Sequence, residues 1–215
     1  MKREVELFLF DLDGTLADTG VDLANSVNYV RFKFELKPLK NQLVYTRVGR
    51  GVEYLIRSCL PETSPDRLQE AVELFLGHYE NHLVDATVLY PGVRETLEYF
   101  KLKRKIVVSN KLHRLSVGVL RGLGIELLFD AILGGDSAAQ RKPDPEPLNL
   151  VLKTFGVSPL KAVMVGDGGI DIEAGRKAGV YTCGVTYGLG DRGELVASKP
   201  DLLIDRIDEL IDHFL

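Results

Sequence analysis

Six short runs of apolar residues, each ending in polar or glycine residues, recur along the chain. Runs of this length that are apolar at nearly every position are typical of strands buried on both faces, as in a parallel sheet. Segments with helical spacing of apolar residues lie between several of the runs. This alternation of strand and helix predicts an open α/β sheet with helices on both faces. The runs are 5–10, 105–109, 131–134, 162–166, 180–185 and 201–204.

Residues 16–88 break this alternation, because they contain no strand-like run and their apolar residues recur at helical spacing. Within them, Ser64 followed by Pro65 indicates the start of a helix, since serine is a good N-cap and proline suits the first helical position. We therefore expect an all-helical insert at 16–88. The core domain would then be discontinuous and comprise 1–15 and 89–215.

Composition and charge exclude several classes of partner. The chain has 215 residues with 27 Lys+Arg and 31 Asp+Glu, and this mildly acidic balance is unlike that of nucleic-acid-binding domains. No apolar stretch approaches the ~20 residues of a membrane span, and the first run is too short for a signal peptide. Cys59 and Cys183 are far apart, which favours a reducing, cytoplasmic location without disulfides. Monomer and homodimer both remain open.

Acidic residues follow two of the predicted strands. Asp11 and Asp13 come directly after the first run, while Asp167 follows the fourth run and Asp171 comes four residues later. Each pair has a structural explanation, because aspartate is common in turns and at helix N-termini. In a parallel sheet, however, the fourth strand can lie beside the first and bring the carboxylates to one edge. Such a cluster suits Mg²⁺, which binds one or two carboxylates, waters and a substrate phosphate.

A hydroxyl group and a lysine follow other strands. Ser109 ends the second run, and Lys142 comes after the third. Taken singly, Ser109 is more simply a helix cap and Lys142 a solvated surface lysine. Taken with the acidic clusters at strand ends, they favour a site for phosphate and a metal ion.

These residues resemble the motifs of the haloacid dehalogenase superfamily, in the same order and over the whole chain. The resemblance implies a Rossmann-like core, and the superfamily places a helical cap of the C1 type between the first two motifs, where 16–88 lies. One departure is Gly168, where relatives often have Ser or Thr. The matching residues are Asp11-Leu12-Asp13-Gly14-Thr15, Ser109, Lys142, and Gly166-Asp167 with Asp171.

The resemblance implies a Mg²⁺-dependent, two-step phosphoryl transfer. Asp11 would attack phosphorus and become an aspartyl phosphate, and Asp13 would act as acid and then as base. The metal would be bound by the Asp11 carboxylate, the Asp13 carbonyl and Asp167, with Asp171 behind these ligands. Ser109 and Lys142 would hold phosphate oxygens. The expected substrate-binding residues are Gly14, Thr15, Arg50, Asn110 and Lys111.

Finer matches, such as Ser109-Asn110-Lys111, are similar to the phosphoglycolate phosphatase group of this superfamily. A small phosphorylated metabolite, with 2-phosphoglycolate favoured, is therefore the expected substrate, and either Arg50 or Lys111 would bind its carboxylate. Pyrophosphatase and phosphomutase activities remain alternatives. A non-catalytic binding module is disfavoured, because all the key side chains are present.

Overall fold

The computed structural model describes residues 2–215, and its centre is a parallel sheet of six strands. The strand order is β5-β4-β1-β6-β7-β8, so the strands on either side of β1 come from different parts of the chain. Helices cover both faces, which confirms the predicted open α/β architecture. The sheet strands are β1 (Leu7–Phe10), β4 (Arg104–Val108), β5 (Ala131–Leu133), β6 (Ala162–Gly166), β7 (Tyr181–Val185) and β8 (Leu202–Ile204).

The central strand β1 shows why the apolar runs are nearly continuous. Phe8 and Phe10 pack into the core on one face of the sheet, while Leu7 and Leu9 pack into the core on the other face. The edge strand β5 differs, because all three of its residues are only half-buried. The prediction of strands buried on both faces therefore holds for the centre of the sheet and fails at this edge, where one side has no neighbouring strand.

Ten α-helices occur among residues 2–215. Helices α5, α6 and α10 contribute to the core that contains Phe8, and helices α7 and α8 contribute to the core that contains Leu7. The helices are α1 (Gly20–Lys33), α2 (Asn41–Tyr45), α3 (Val52–Cys59), α4 (Pro65–Tyr79), α5 (Val93–Tyr99), α6 (His113–Gly122), α7 (Glu146–Phe155), α8 (Gly169–Ala178), α9 (Arg192–Ala197) and α10 (Leu210–His213).

Helices α1 to α4 lie between β1 and β4 in the sequence and share an apolar core of their own, and we call them the helical group. Helix α4 begins as predicted, with the Ser64 side chain accepting a hydrogen bond from the Arg67 amide at 3.4 Å. Two very short strands that the sequence pattern does not reveal, β2 (Ala17–Asp18) and β3 (Val88–Leu89), pair antiparallel where the chain enters and leaves this group. The domain boundaries themselves stay a prediction.

The structure also bears on two further expectations, which concern disulfides and membrane-spanning segments. Cys59 and Cys183 are both buried and unpaired, so neither forms a disulfide. Across residues 2–215, no helix combines the length and the apolar character that crossing a membrane would require.

Candidate active site

The strand order brings together the carboxyl ends of three strands, β4, β1 and β6. Strand β1 lies between β4 and β6, and both neighbours run parallel to it. Asp11, Ser109 and Asp167 directly follow these three strands, so they meet at the carboxyl edge of the sheet. In open α/β sheets, ligands bind at this edge where connections leave a central strand in opposite directions.

Three buried carboxylates form a cluster at this edge. Asp11, Asp167 and Asp171 each offer an oxygen, and the three oxygens lie within 4.8 Å of one another. Burial, opposed by Lys142 and reinforced by Asp171, raises the pKa of Asp11 to about 7. Burial and the nearby charges of Asp11 and Asp171 raise the pKa of Asp167 to about 8. Without a cation, several negative charges are therefore unfavourable here.

Two glycines make room for the Asp167 side chain. A Cβ atom placed on Gly14 would lie 2.0 Å from Oδ2 of Asp167, and one placed on Gly188 would lie 2.3 Å from the same oxygen. Gly14 also has a φ of 83°, which favours glycine. The amide of Gly190 donates a hydrogen bond to Asp167 Oδ2 at 2.8 Å. Gly14, predicted to bind substrate, is thus also required for the position of Asp167.

The donor set fits a hard divalent cation such as Mg²⁺, because its members are carboxylate oxygens held close together. Asp171 belongs to the cluster, but both its oxygens have protein partners. Its Oδ1 accepts a hydrogen bond from Lys142 at 2.7 Å, and its Oδ2 accepts one from the Gly168 amide at 3.1 Å. The position of Asp171 behind the direct ligands stays a prediction, as does metal binding by Asp11, Asp13 and Asp167.

Lys142 is a buried part of the cluster and not a solvated surface residue. Its side chain is 1% exposed, and Nζ donates to Asp11 Oδ1 and Asp171 Oδ1, both at 2.7 Å. Burial alone would lower the pKa of Lys142, but Asp11 and Asp171 together hold that pKa above its ordinary value. Lys142 therefore supplies a permanent positive charge beside Asp11.

Asp13 faces a different set of partners from Asp11. Its Oδ1 accepts hydrogen bonds from Lys111 Nζ at 2.6 Å and from the Thr19 hydroxyl at 2.7 Å. Lys111 Nζ also donates to the Tyr79 hydroxyl at 2.7 Å. Sequence analysis identified neither Thr19 nor Tyr79 as a functional residue.

Ser109 and Asn110 both lie buried at the end of β4. The Ser109 hydroxyl accepts a hydrogen bond from the Lys111 amide at 3.2 Å. The Asn110 side chain donates to the carbonyls of Gly49, at 2.9 Å, and of Lys142, at 2.8 Å, and accepts from the Lys142 amide at 3.0 Å. Asn110 thus joins the helical group to the core and positions Lys142, while its predicted contact with substrate remains a prediction.

Thr15 supports Asp167 from behind. Its hydroxyl donates to Asp167 Oδ1 at 3.4 Å, and its carbonyl accepts a hydrogen bond from the Tyr187 hydroxyl at 2.9 Å. Because the Thr15 side chain is fully buried and directed at Asp167, the structure gives it a supporting position. Substrate binding by Thr15 remains a prediction, and Tyr187 was not identified from the sequence.

Two cavities share Asp11 and Asp13. The inner cavity, of about 40 Å³, lies against Ser109 and Lys111 and beneath α1, α3 and α4. The outer cavity, of about 620 Å³, is lined by Arg50 and by the loop residues after β6. Arg50 is exposed, with its guanidinium 5.5 Å from the centre of the Tyr54 ring. The two predicted carboxylate-binding residues, Arg50 and Lys111, therefore line different cavities.

Comparison with known proteins gives one family. A family model described as haloacid dehalogenase-like hydrolase matches residues 8–185. A protein from Haemophilus influenzae named phosphoglycolate phosphatase is 36% identical over 98% of this chain and 99% of its own length. A protein of the same name from Aquifex aeolicus is 36% identical over 96% of this chain and 95% of its own length.

A solved structure agrees with this result. The crystal structure of a predicted phosphoglycolate phosphatase from Haemophilus somnus is 32% identical to the chain, covers 97% of each chain and has a TM-score of 0.93. At this similarity the sheet, the helical group and the connections between them correspond over nearly the full length.

Proposed function

Because the chain belongs to the haloacid dehalogenase-like hydrolase family, we propose that it is a Mg²⁺-dependent phosphatase of 2-phosphoglycolate. The observation that carries the proposal is the buried arrangement of Asp11 beside Lys142 on one side and Asp13 beside Lys111 on the other. The phosphatase names of relatives at 36% identity over nearly the full length support this substrate.

Asp11 is the proposed nucleophile. It lies at the carboxyl end of the central strand and also lines both cavities. One of its oxygens forms a bond to phosphorus while the bond from phosphorus to the substrate's ester oxygen breaks, which leaves an aspartyl phosphate and an alcohol. Asp13 gives its proton to that departing oxygen. Water then attacks phosphorus, Asp13 takes a proton from the water, and inorganic phosphate and free Asp11 result.

Asp11, Asp167 and the Asp13 carbonyl would hold the cation. When bound, Mg²⁺ supplies positive charge that offsets the repulsion between the acidic cluster and the substrate phosphate. Lys142 adds a fixed positive charge on the other side of Asp11, where its 2.7 Å contact orients the attacking carboxylate. Ser109, buried at the end of the neighbouring strand, provides a hydroxyl for a phosphate oxygen.

The test is the release of inorganic phosphate by the purified protein with and without MgCl₂. We expect 2-phosphoglycolate to give equal amounts of phosphate and glycolate, with a higher kcat/KM than p-nitrophenyl phosphate or pyrophosphate. Preferred cleavage of pyrophosphate would replace the proposed substrate. Formation of an isomer without phosphate release would indicate a phosphomutase.

Asp11→Asn tests the assignment of Asp11 as the nucleophile. An amide is nearly isosteric with the carboxylate but is a poor nucleophile, so kcat should fall at least about 1000-fold while the fold is retained. Asp212→Asn makes the same chemical change at an exposed position of α10 and should keep full activity. Substantial turnover by Asp11→Asn would contradict the assignment of the nucleophile.

A further inference from the structure

The inner cavity is apolar on the side of the helical group. Leu23, Val52, Leu55 and Phe75 line it there, whereas Asp11 and Asp13 lie at its opposite end. Two further polar groups, Lys111 and Tyr79, reach into the lining, and both are at least nine-tenths buried. A molecule that enters from the reactive carboxylates therefore meets a small set of donors in otherwise apolar surroundings.

Both of these polar groups have donor capacity that protein partners do not use. Lys111 Nζ has three protons, and among residues 2–215 it donates to Asp13 and to Tyr79 only. Within the same residues, the Tyr79 hydroxyl accepts the bond from Lys111 and donates none. Buried tyrosine hydroxyls usually have a partner for their proton. The two unused donors point to an acceptor that the protein itself does not provide.

Both groups act as hydrogen-bond donors, and one of them is charged. Burial raises the pKa of Tyr79 to about 12, so its hydroxyl remains a donor. Lys111 Nζ forms an ion pair with Asp13 at 2.6 Å, and its ammonium group is the charged member of this pair of donors. An anionic acceptor is therefore favoured over a neutral one, because charge-assisted hydrogen bonds are stronger in a buried site.

We propose that Tyr79 is a specificity-determining residue whose hydroxyl, together with the Lys111 ammonium, binds the carboxylate of the leaving group. This inference rests on the proposed function. It assigns a new role to Tyr79, which lies in the last turn of α4 and belongs to the helical group and not to the sheet edge. Lys111 contacts both Asp13, the proposed acid, and Tyr79, the proposed carboxylate-binding residue.

The position and size of the cavity agree with a short hydroxy acid. In 2-phosphoglycolate the carboxylate is attached to the carbon that bears the leaving oxygen, so it lies close to the acid that protonates this oxygen. Lys111 Nζ is 2.6 Å from that acid, Asp13. A volume of about 40 Å³ holds roughly three water-sized groups, since each needs about 10–15 Å³. A carboxymethyl group is of this size.

The test compares Tyr79→Phe with the wild type on two esters of similar size, 2-phosphoglycolate and 2-hydroxyethyl phosphate. The second ester has a neutral hydroxymethyl group in place of the carboxylate. Loss of a charge-assisted hydrogen bond should lower the ratio of the two kcat/KM values roughly ten- to a hundred-fold. Tyr29→Phe is the matched control, because Tyr29 lies in α1, stacks on His78 and does not line the inner cavity. It should leave both values at the wild-type level.

The outcomes separate the two proposals. If the wild type hydrolyses 2-phosphoglycolate and Tyr79→Phe lowers both values by the same factor, the role of Tyr79 is wrong and the proposed function stands. If the wild type hydrolyses neither ester, the proposed function is wrong and the inference fails with it. A second measurement needs no variant: glycolate should inhibit the wild type, and ethylene glycol at the same concentration should not. Equal effects of the two compounds would overturn carboxylate recognition in this cavity.

Discussion

At the scale of single residues, the two aspartates of the first motif have different partners and therefore different expected roles. Asp11 contacts Lys142, while Asp13 contacts Lys111 and Thr19. The partners differ because the two aspartates occupy different positions after β1. Asp11 follows the strand directly, whereas Asp13 lies further along the loop and pairs with Ala17. Asp13 is thus held beside the inner cavity, where a leaving group would be.

Asp13→Asn tests the proposed role of Asp13 as the acid. Phosphoenzyme formation should be slowed most for substrates with poor leaving groups, since these need protonation, and least for p-nitrophenyl phosphate. The measurement is single-turnover phosphoenzyme formation from 2-phosphoglycolate and from p-nitrophenyl phosphate, with a difference of at least about ten-fold expected between the two losses. Equal losses for both substrates would contradict the general-acid assignment.

At the scale of elements, Asp22 joins the start of α1 to the segment by which the chain leaves the helical group. Its carboxylate is almost fully buried and accepts hydrogen bonds from the amides of Ala86 and Thr87 and from the Thr87 hydroxyl, at 2.7–3.1 Å. These bonds close the helical group at its base, next to the short pair of strands β2 and β3. Sequence analysis did not identify Asp22.

Asp22→Asn should therefore destabilise the protein. The amide has one acceptor oxygen instead of two and brings donors toward backbone N–H groups, so we expect a loss of about 1.5–3 kcal/mol in the free energy of unfolding. Urea denaturation followed by circular dichroism measures this loss. Asp66→Asn is the control, because Asp66 also lies in the first turn of a helix but is exposed. Its change should be at most about 1 kcal/mol, and equal effects of the two variants would contradict the special role of Asp22.

At the scale of the whole molecule, the sheet brings together acids that are distant in sequence, and this makes stability depend on pH. The pKa values of Asp11 and Asp167 are raised to about 7 and about 8 in the folded chain, whereas an unfolded aspartate has a pKa of about 3.9. Between these values the folded state binds more protons than the unfolded state. The contribution of these two groups to stability therefore falls as the pH rises from about 4 to about 8.

We predict that Mg²⁺ stabilises the protein more at pH 8.5 than at pH 5.5, because the cation replaces protons on the acidic cluster. The measurement is the Tm by calorimetry, with MgCl₂ and with a chelator, at both pH values. Asp167→Asn should reduce the Mg²⁺-dependent rise in Tm and its dependence on pH. A rise in Tm that is the same at both pH values would argue against cation binding by this cluster.

Much of this protein is determined by its sequence alone. The six strands, the helices between them and the helical insert follow from the periodicity of apolar residues, because burial on one or both faces of an element is a local property. The positions of Asp11, Ser109 and Asp167 at strand ends could be read in the same way. The haloacid dehalogenase motifs then indicated the family, which the comparison with known proteins confirms.

Only the tertiary structure decided which side chains meet. The order of the strands places β6 beside β1, and this order, which local patterning does not encode, buries Lys142 between Asp11 and Asp171. The packing of α4 within the helical group places the Tyr79 hydroxyl 2.7 Å from Lys111 Nζ. The helical spacing of apolar residues predicts that α4 buries one face, but the polar partner of Tyr79 depends on how two distant segments pack. Contacts of this kind arise from long-range packing. The sequence therefore predicted the residues at the carboxyl edge of the sheet, whereas the contact between Tyr79 and Lys111 in the inner cavity is known only from the structure.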